Sequence, residues 1–467
     1  MNILPDDVLI DIFDFLLRDE QGAQGWTQEW IMLAHVCRRW RSVVFQSPRR
    51  LNLRLLCTAE TRTRDTLDIW PPLPLIIQDN RLSGDRTTGV DNIFAALEHN
   101  DRVCKICLDW LSSPDWEYLT DLAAMQKPFP ELTVLVLYMY NGNELRSILP
   151  DSFLGGTAPR LQSLILYRVP FPGLPKLLLS ATHLVDLYLD CIPDSGYIPP
   201  EAMATGLSAL TRLESLHLLF HYPRPRPALE SRHPPPLTRS ILPHLTKFEF
   251  GGNSEYLEEI LARIDAPRLN KLYITFFNQI IFDTPQLFQT ISRTPALRAP
   301  KKGHIKFYRE AIVVGFLSQT SDYTVLTVRI PCPASEWRLS SLEQVCVSSL
   351  PPVSTLEDLY IVEDRNWPPH WQNDIENTLW LDVLRPFVAV KDLYLSEKLV
   401  PRIATALQGL VGERTTEVFP TLENIFWERG FQSPEAIRTD VERLVAARPL
   451  FSHPVAVSLW DGKYHHS

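Results

Sequence analysis

The chain has 467 residues, of which 45% are hydrophobic and 22% are charged, so it can bury a large core in several domains or in one elongated array. Its formal net charge of −9 argues against nucleic acid or an anionic membrane as the main binding partner. The 39 prolines, against 18 glycines, predict many short elements separated by stiff turns. No stretch reaches the roughly 20 apolar residues that a membrane helix needs.

The cysteines and the N-terminus bear on the cellular compartment. The seven cysteines are odd in number and scattered, which is unlike a disulfide framework, and the chain has no Asn-x-Ser/Thr sequon. Acidic rather than basic residues precede the first apolar run, which is not typical of a signal peptide. We therefore expect reduced thiols and a cytoplasmic or nuclear location, or both.

The first apolar residues of the chain have helical spacing. Pro5 suits the first helical position, where its missing N–H costs nothing, and Asp6 and Asp7 favour the positive end of the helix dipole. The apolar positions then recur on one face of this predicted helix: Val8, Leu9, Ile12, Phe13 and Leu16.

A second helix is predicted after a polar, glycine-containing loop at residues 18–28. Thr27 can cap it, and Ser47-Pro48 ends it. Its apolar positions share one face: Leu33, Val36, Cys37, Trp40 and Val44. Two such short helices cannot bury all their apolar surface against each other, so the remainder packs either on the rest of the chain or on a second protein.

This N-terminal region resembles the F-box motif. The resemblance rests on Leu4-Pro5, on the apolar positions of the first helix, and on the run Val36-Cys37-Arg38-Arg39-Trp40 followed by Pro48. It implies a three-helix module that docks on the Skp-type adaptor of SCF ubiquitin ligases and, through it, on a cullin-RING ligase. The residues that it assigns to the adaptor surface, or to the core that supports it, are Leu4, Pro5, Leu9, Ile12, Leu16, Val36, Cys37 and Trp40.

A second pattern, L-x-x-L-x-L, recurs through the rest of the chain. It starts at Leu132, Leu161, Leu184, Leu213, Leu245, Leu269, Leu356 and Leu422, with looser copies at Val103 and Val390. This spacing is the signature of leucine-rich repeats, in which each unit supplies a short strand and neighbouring units stack on one core. The gap between 269 and 356 has room for two further copies, with candidate strands at GHIKFY and YTVLTVRI. A large α/β sheet with leucine-rich strands is the alternative.

Together these patterns predict an α/β fold, with an N-terminal three-helix F-box followed by an irregular leucine-rich-repeat solenoid that carries a parallel sheet on its concave face. We expect three parts: the F-box at 1–50, a transition and solenoid cap at 51–100, and the solenoid with its C-terminal cap at 101–467. Within the cap, 433–450 is predicted as a helix and HPVAVSLWD as a terminal strand. This region loosely resembles the C-terminal region of large F-box families in mushroom-forming fungi.

The residue between the last two anchors of each repeat points to the opposite sheet face. That face is rich in aromatic side chains, which are suited to protein contacts. The target-binding candidates on these strands are Tyr138, Tyr167, Tyr188, Tyr273, Tyr360, Tyr394 and Phe426. Alternatively, these aromatic rings only pack on each other or beneath the C-terminal segment.

No catalytic, metal or cofactor site is expected. The chain lacks the phosphate-loop, dinucleotide-binding, nucleophile-elbow and zinc-protease motifs, and Cys104-Lys-Ile-Cys107 fits a repeat strand better than a metal site. Together with the missing motifs, the F-box resemblance implies a non-catalytic substrate receptor of an SCF ubiquitin ligase. An interaction scaffold with a decayed or non-degradative F-box is the alternative, and a hydrolase or transferase with a dispersed site is disfavoured.

Overall fold

The computed structural model describes most of the chain, in segments. They are residues 4–18, 30–79, 90–111, 116–117, 119, 122–139, 148–221, 239–277, 282–318, 323–332, 337–348, 350–366, 368–369, 371, 377–408, 417–428 and 455–460. The chain divides into two compact units, Met1–Leu213 and Glu214–Ser467, and each is described by itself. The predicted helix at 433–450 lies outside the described residues. The three-part division expected from the sequence stays a prediction.

The first unit begins with three helices, as the F-box resemblance implies: α1 (Asp6–Arg18), α2 (Trp30–Val36) and α3 (Arg38–Gln46). The continuous second helix predicted from periodicity is wrong, because the backbone of Cys37 is extended, with φ −161° and ψ 168°. The Cys37 Sγ instead accepts a hydrogen bond from the Trp40 backbone N–H at 3.4 Å and so caps α3. The predicted cap at Thr27 lies outside the described residues.

Parallel strands follow in chain order in the first unit. They are β1 (Leu55–Cys57), β2 (Leu75–Asp79), β3 (Val103–Leu111), β4 (Val134–Met139), β5 (Ser163–Tyr167) and β6 (Asp186–Ile192), each paired with the next. The returns between them include α4 (Thr63–Ile69), α5 (Val90–Leu97), α6 (Leu174–Leu178) and α7 (Pro200–Ser208), with 3₁₀ turns at Ala123–Gln126, Phe153–Gly156 and Asp194–Gly196. Strands β3 to β6 confirm the predicted repeat strands of this unit.

The second unit continues the same pattern. Its parallel strands include β7 (Ser215–Phe220), β9 (Lys247–Gly252) and β11 (Lys271–Phe276), then β15 (Asp358–Glu363), β16 (Asp392–Leu395), β17 (Asn424–Glu428) and β18 (Ala456–Trp460). A separate short ladder joins β8 (Ser240–Ile241) to β10 (Ile264–Asp265). The returns include α8 (Ser254–Leu261), α9 (Pro285–Arg293), α10 (Trp337–Ser348), α11 (Asn377–Leu384) and α12 (Val400–Gln408), with 3₁₀ turns at Pro351–Thr355 and Glu397–Leu399.

The region between β11 and β15 departs from the repeat. The two predicted strands exist as β12 (Lys302–Phe307) and β14 (Thr324–Pro331), but an unpredicted strand, β13 (Ala311–Leu317), lies between them. The strand order is therefore β11-β14-β13-β12-β15, with β13 antiparallel to both neighbours. Both candidate strands are thus confirmed and pair in parallel with repeat strands, β14 with β11 and β12 with β15. They differ from two stacked repeat copies because β13 lies between them, joined to β12 by a three-residue turn that permits only antiparallel pairing.

The core of both units is made by the leucine anchors. Leu135, Leu164 and Leu272 are fully buried, while the residues between anchors are only half-buried, as alternation along a strand requires. The starts of the strands are fixed by backbone hydrogen bonds, in which two successive N–H groups donate to the same carbonyl at the start of the preceding strand. Gln162 and Ser163, for example, both donate to Thr133 O. These observations establish the repeat architecture of the fold.

Two further features are the lengths of the helices and the state of the cysteines. Among the described residues, no helix is long and apolar enough to cross a membrane. All seven cysteines lie in described segments, and each carries a free thiol.

The anchors provide a direct test of the fold. We predict that Leu164→Ala lowers the free energy of unfolding by about 2–5 kcal/mol, because it leaves a cavity at a fully buried position. The matched control is Leu179→Ala, whose side chain is 51% exposed and should cost about 0.5 kcal/mol or less. Urea unfolding followed by circular dichroism measures both, and equal effects would argue against this core.

Candidate interaction surfaces

The three N-terminal helices share a small apolar core. Phe13 on α1 is fully buried, and its ring lies 4.8 Å from the ring of Trp40 on α3. Leu9 and Val44 are buried beside them in the same helices. Because Trp40 is half-buried and Leu9 is enclosed, both support the module from inside.

Arginine side chains fix the relative positions of these helices. Arg39 donates to Asp6 Oδ1 from Nε at 3.0 Å and from Nη2 at 2.7 Å, and it also donates to the Leu4 carbonyl. Arg41 Nε donates to the Ala34 carbonyl at 2.9 Å, which satisfies the C-terminal end of α2. Because the Arg39–Asp6 pair is largely exposed, it adds little to the free energy of unfolding. Its main effect is to hold the start of α1 against α3.

One face of the N-terminal helices packs on the residues around β1 and α4. There the strands and helices that follow α3 in the first unit begin, and we call these strands and helices the repeat body. Trp30 at the start of α2 is only 4% exposed, and its Nε1 donates to the Arg54 carbonyl at 2.9 Å. Its ring packs edge-on against Trp70 at 5.3 Å and against Phe45 at 6.1 Å. We call this contact the Trp30 joint. It connects α2 and α3 to the residue that ends α4.

The helices also carry an apolar surface that the described part of the chain leaves exposed. On α1, positions 8, 12, 15 and 16 follow one helical face, and positions 32 and 36 do so on α2. Phe15 is 71% exposed and Met32 is 70% exposed. We call the whole set the apolar ridge: Leu4, Val8, Ile12, Phe15, Leu16, Met32 and Val36. Such a concentration of exposed large apolar side chains marks an interaction surface.

The predicted adaptor-binding residues divide between this ridge and the core. Exposed positions are Leu4, Pro5, Ile12, Leu16, Val36 and Cys37, whereas Leu9 is buried and Trp40 is half-buried. The sequence prediction omitted Val8, Phe15 and Met32 from the surface. Phe15 follows Ile12 by three positions, so the helical period contained the signal for it. The adaptor-binding role of these residues stays a prediction.

In the first unit, the candidate target-binding tyrosines lie on neighbouring strands. The rings of Tyr138 and Tyr167 stack at 5.5 Å, and Tyr188 OH donates to Asp190 Oδ2 at 2.8 Å. Burial raises the pKa of Tyr138, and the nearby carboxylates of Asp109 and Asp190 raise it further. The Tyr138 phenol therefore presents a neutral, hydrogen-bonding edge at neutral pH.

In the second unit, three candidate rings form a continuous stack. Tyr360 and Tyr394 lie 4.2 Å apart, Tyr394 and Phe426 lie 4.5 Å apart, and both pairs are nearly parallel. Trp460 packs edge-on against Tyr360 and Tyr394, at 5.6 Å from each. These contacts are compatible with both alternatives, a target-binding surface or rings that only pack on each other or beneath the C-terminal segment. Tyr273 lies elsewhere on the sheet and donates to the Thr324 carbonyl at 3.3 Å. The target-binding role stays a prediction.

The two cysteines of the Cys104-Lys-Ile-Cys107 run are structural residues of a repeat strand. Cys104 and Cys107 both lie in β3, and Cys104 Sγ donates to the Leu75 carbonyl at 3.3 Å. Burial raises the pKa of Cys107 to about 11, so its thiol stays protonated. Within the described segments, no group of three His, Cys, Asp or Glu side chains is placed to hold a metal ion.

Comparison with known proteins bears on the N-terminal helices. Residues 1–54 match the F-box-like family model, a range that includes α1, α2 and α3. The N-terminal helices form an F-box-like domain. A search of curated proteins finds no match. Among solved structures, the leucine-rich repeat-containing protein LegL7 from Legionella pneumophila is similar at 11% identity and a TM-score of 0.28, over 79% of this chain and 98% of that chain. The repeat architecture itself rests on the strand register given above.

The division between core and ridge in the F-box-like domain is testable. We predict that Trp40→Ala speeds amide hydrogen exchange in α3, because removing half-buried ring contacts costs about 1–3 kcal/mol, less than the roughly 3–5 kcal/mol of a fully buried Trp. Phe15→Ala should leave exchange in the same helix unchanged, since that ring is mostly exposed. Equal acceleration by both variants would contradict this division.

Proposed function

We propose that the protein is a substrate-recognition subunit of an SCF-type ubiquitin ligase, of the kind found in fungal F-box families. In this proposal the apolar ridge docks on a Skp-type adaptor, which links the chain to a cullin-RING ligase, and the repeat strands bind a target protein. The observation that carries the proposal is the exposed ridge on an F-box-like domain whose helices α2 and α3 are already packed at the Trp30 joint.

The proposed mechanism is proximity. A receptor that holds both adaptor and target raises the effective concentration of the target's lysines near the conjugating enzyme. The Trp30 joint suits that task, because a buried tryptophan with a satisfied N–H fixes the F-box-like domain on the first strands of the repeat body. Ubiquitin chemistry then takes place on other subunits, and this chain acts as a non-catalytic receptor in the cytoplasm, the nucleus or both.

A non-degradative scaffold is the second candidate. The deep packing of the Trp30 joint shows that the F-box-like domain contributes to the first unit of the fold, so it could persist for structural reasons alone. The two functions differ in what happens to a bound protein. Targets of a receptor accumulate when the ridge is disabled, whereas the partners of a scaffold keep their abundance.

Co-purification with a purified Skp-type adaptor tests the docking step. We predict that the wild-type chain retains the adaptor and that Phe15→Asp weakens retention by at least about tenfold, because a carboxylate in an apolar interface loses its hydration. Leu179→Asp is the matched control, since it places the same charge on an exposed leucine outside the ridge. Equal retention of the adaptor by both variants would remove the ridge from the interface.

Cys37 offers an independent footprint of the same interface. Its side chain is exposed, whereas Cys57 is buried and its pKa is raised to about 11, so iodoacetamide at pH 8 should alkylate Cys37 far faster. Bound adaptor should slow alkylation of Cys37 by at least about fivefold, because complex formation excludes the reagent from this surface. Mass spectrometry of the modified peptides measures both rates. Unchanged alkylation of Cys37 in a verified complex would place the interface elsewhere.

A further inference from the structure

The last described strand of the second unit is attached differently from its neighbours. Four of the five residues of β18 are exposed. Val457 and Leu459 pair with Ile425 and Trp427 of β17, yet they are 40% and 56% exposed, whereas Ile425 is buried. A terminal strand that buried its anchors would resemble β1, where Leu55 and Cys57 are fully enclosed. Among the described residues, backbone pairing with β17 therefore supplies most of the attachment of β18.

One side chain of β18 makes a specific contact. Trp460 pairs in register with Glu428 of β17, but its ring reaches past that strand to Tyr394 and Tyr360, on the next two strands. Ser458 pairs with Phe426 and is too small to cover the ring stack. Within the described part of the chain, the strand thus contributes one anchoring aromatic side chain, and its other four residues are exposed. This is how an extended peptide binds to a sheet edge, where main-chain pairing gives affinity and a side-chain seat gives selectivity.

We propose that the edge of β17 and the stack of Tyr360, Tyr394 and Phe426 form a peptide-binding site. Its partner is an extended segment of a target protein that carries an aromatic residue, and this segment takes the place of β18 and of Trp460. The chain's own strand shows what the site accepts: parallel pairing with β17 and one aromatic ring edge-on to two tyrosines. The inference rests on the proposed receptor function only in naming the partner as a target.

The tyrosines suit repeated exchange of one aromatic ring for another. Burial, followed by the neighbouring ring of Tyr394, raises the pKa of Tyr360, so the seat stays uncharged when a new ring arrives. The stack also supports itself, because Tyr394 is held between Tyr360 and Phe426 at 4.2 and 4.5 Å. Departure of Trp460 therefore leaves the platform assembled.

A peptide with the sequence of residues 453–463, HPVAVSLWDGK, serves as the probe. Labelled with fluorescein, it is titrated into full-length chains and followed by fluorescence anisotropy. We expect the Trp460→Ala chain to bind it at least tenfold more tightly than the wild-type chain, because its own strand has lost the competing ring. Introducing Trp460→Ala in the peptide should weaken that binding at least tenfold. Leu459→Ala in the peptide, at an exposed position, is the matched control and should change it less than threefold.

Several results would overturn the proposal. Equal affinity of the wild-type and Trp460→Ala chains would show that β18 does not compete for the site, and absence of binding to either would show that no such site exists. Tyr394→Leu added to the Trp460→Ala chain should abolish binding, and full binding by that chain would place the peptide elsewhere.

A measurement on the unaltered chain covers the case in which a variant fails to fold. The amides of β18 should exchange hydrogen at least tenfold faster than those of β1, the terminal strand with buried anchors. Equal exchange would make β18 a fixed capping strand and overturn the proposal. Because adaptor co-purification reads out the apolar ridge, a failure of this proposal is distinguishable from a failure of the receptor function.

Discussion

The N-terminal helices carry apolar side chains on two faces, and the Trp30 joint determines which face is available. Trp30 and Phe45 turn toward Trp70 and leave Phe15 and Met32 on the outer side. In this arrangement the Trp30 ring is buried and its N–H donates a hydrogen bond to the Arg54 carbonyl. A different orientation of the helices would lose both interactions, so the joint fixes the orientation of the domain. The exposure of the ridge is thus a consequence of how the other face is buried.

In the repeat strands of each unit, many short strands are held together without long helices. Burial of anchors such as Leu164 and Leu272 supplies hydrophobic stabilisation. The shared backbone hydrogen bonds at the starts of the strands fix the strand register. The side chains between anchors are then free to vary. Aromatic side chains recur on the same strands, as the stacked pair Tyr138 and Tyr167 in the first unit and as the three-ring stack in the second.

Much of this architecture could be predicted from the sequence, because the anchors repeat with a period that only neighbouring strands satisfy. The break at Cys37 could not, since the helical period continues through it from Val36 to Trp40 and only the extended backbone reveals the cap. Strand β13 was also missed. Nearly every residue of AIVVGFL is buried, so the sequence shows neither the alternation of a repeat strand nor its anchors.

The interaction surfaces were partly predictable for a similar reason. A resemblance assigns residues to a module but does not separate core from surface, so the sequence does not distinguish the buried Leu9 from the exposed Ile12. The contact of Trp460 with Tyr360 and Tyr394 joins residues 66 to 100 positions apart in the sequence, and no local pattern signals it. Contacts at such separation depend on the register of the whole ladder.

In the proposed function, a second protein covers the apolar ridge. The most direct test of this claim is isothermal titration calorimetry of the full chain with a purified Skp-type adaptor at several temperatures. Burial of the ridge predicts a one-to-one complex with a clearly negative heat-capacity change. Absence of binding, or binding with a heat-capacity change near zero, would contradict the account.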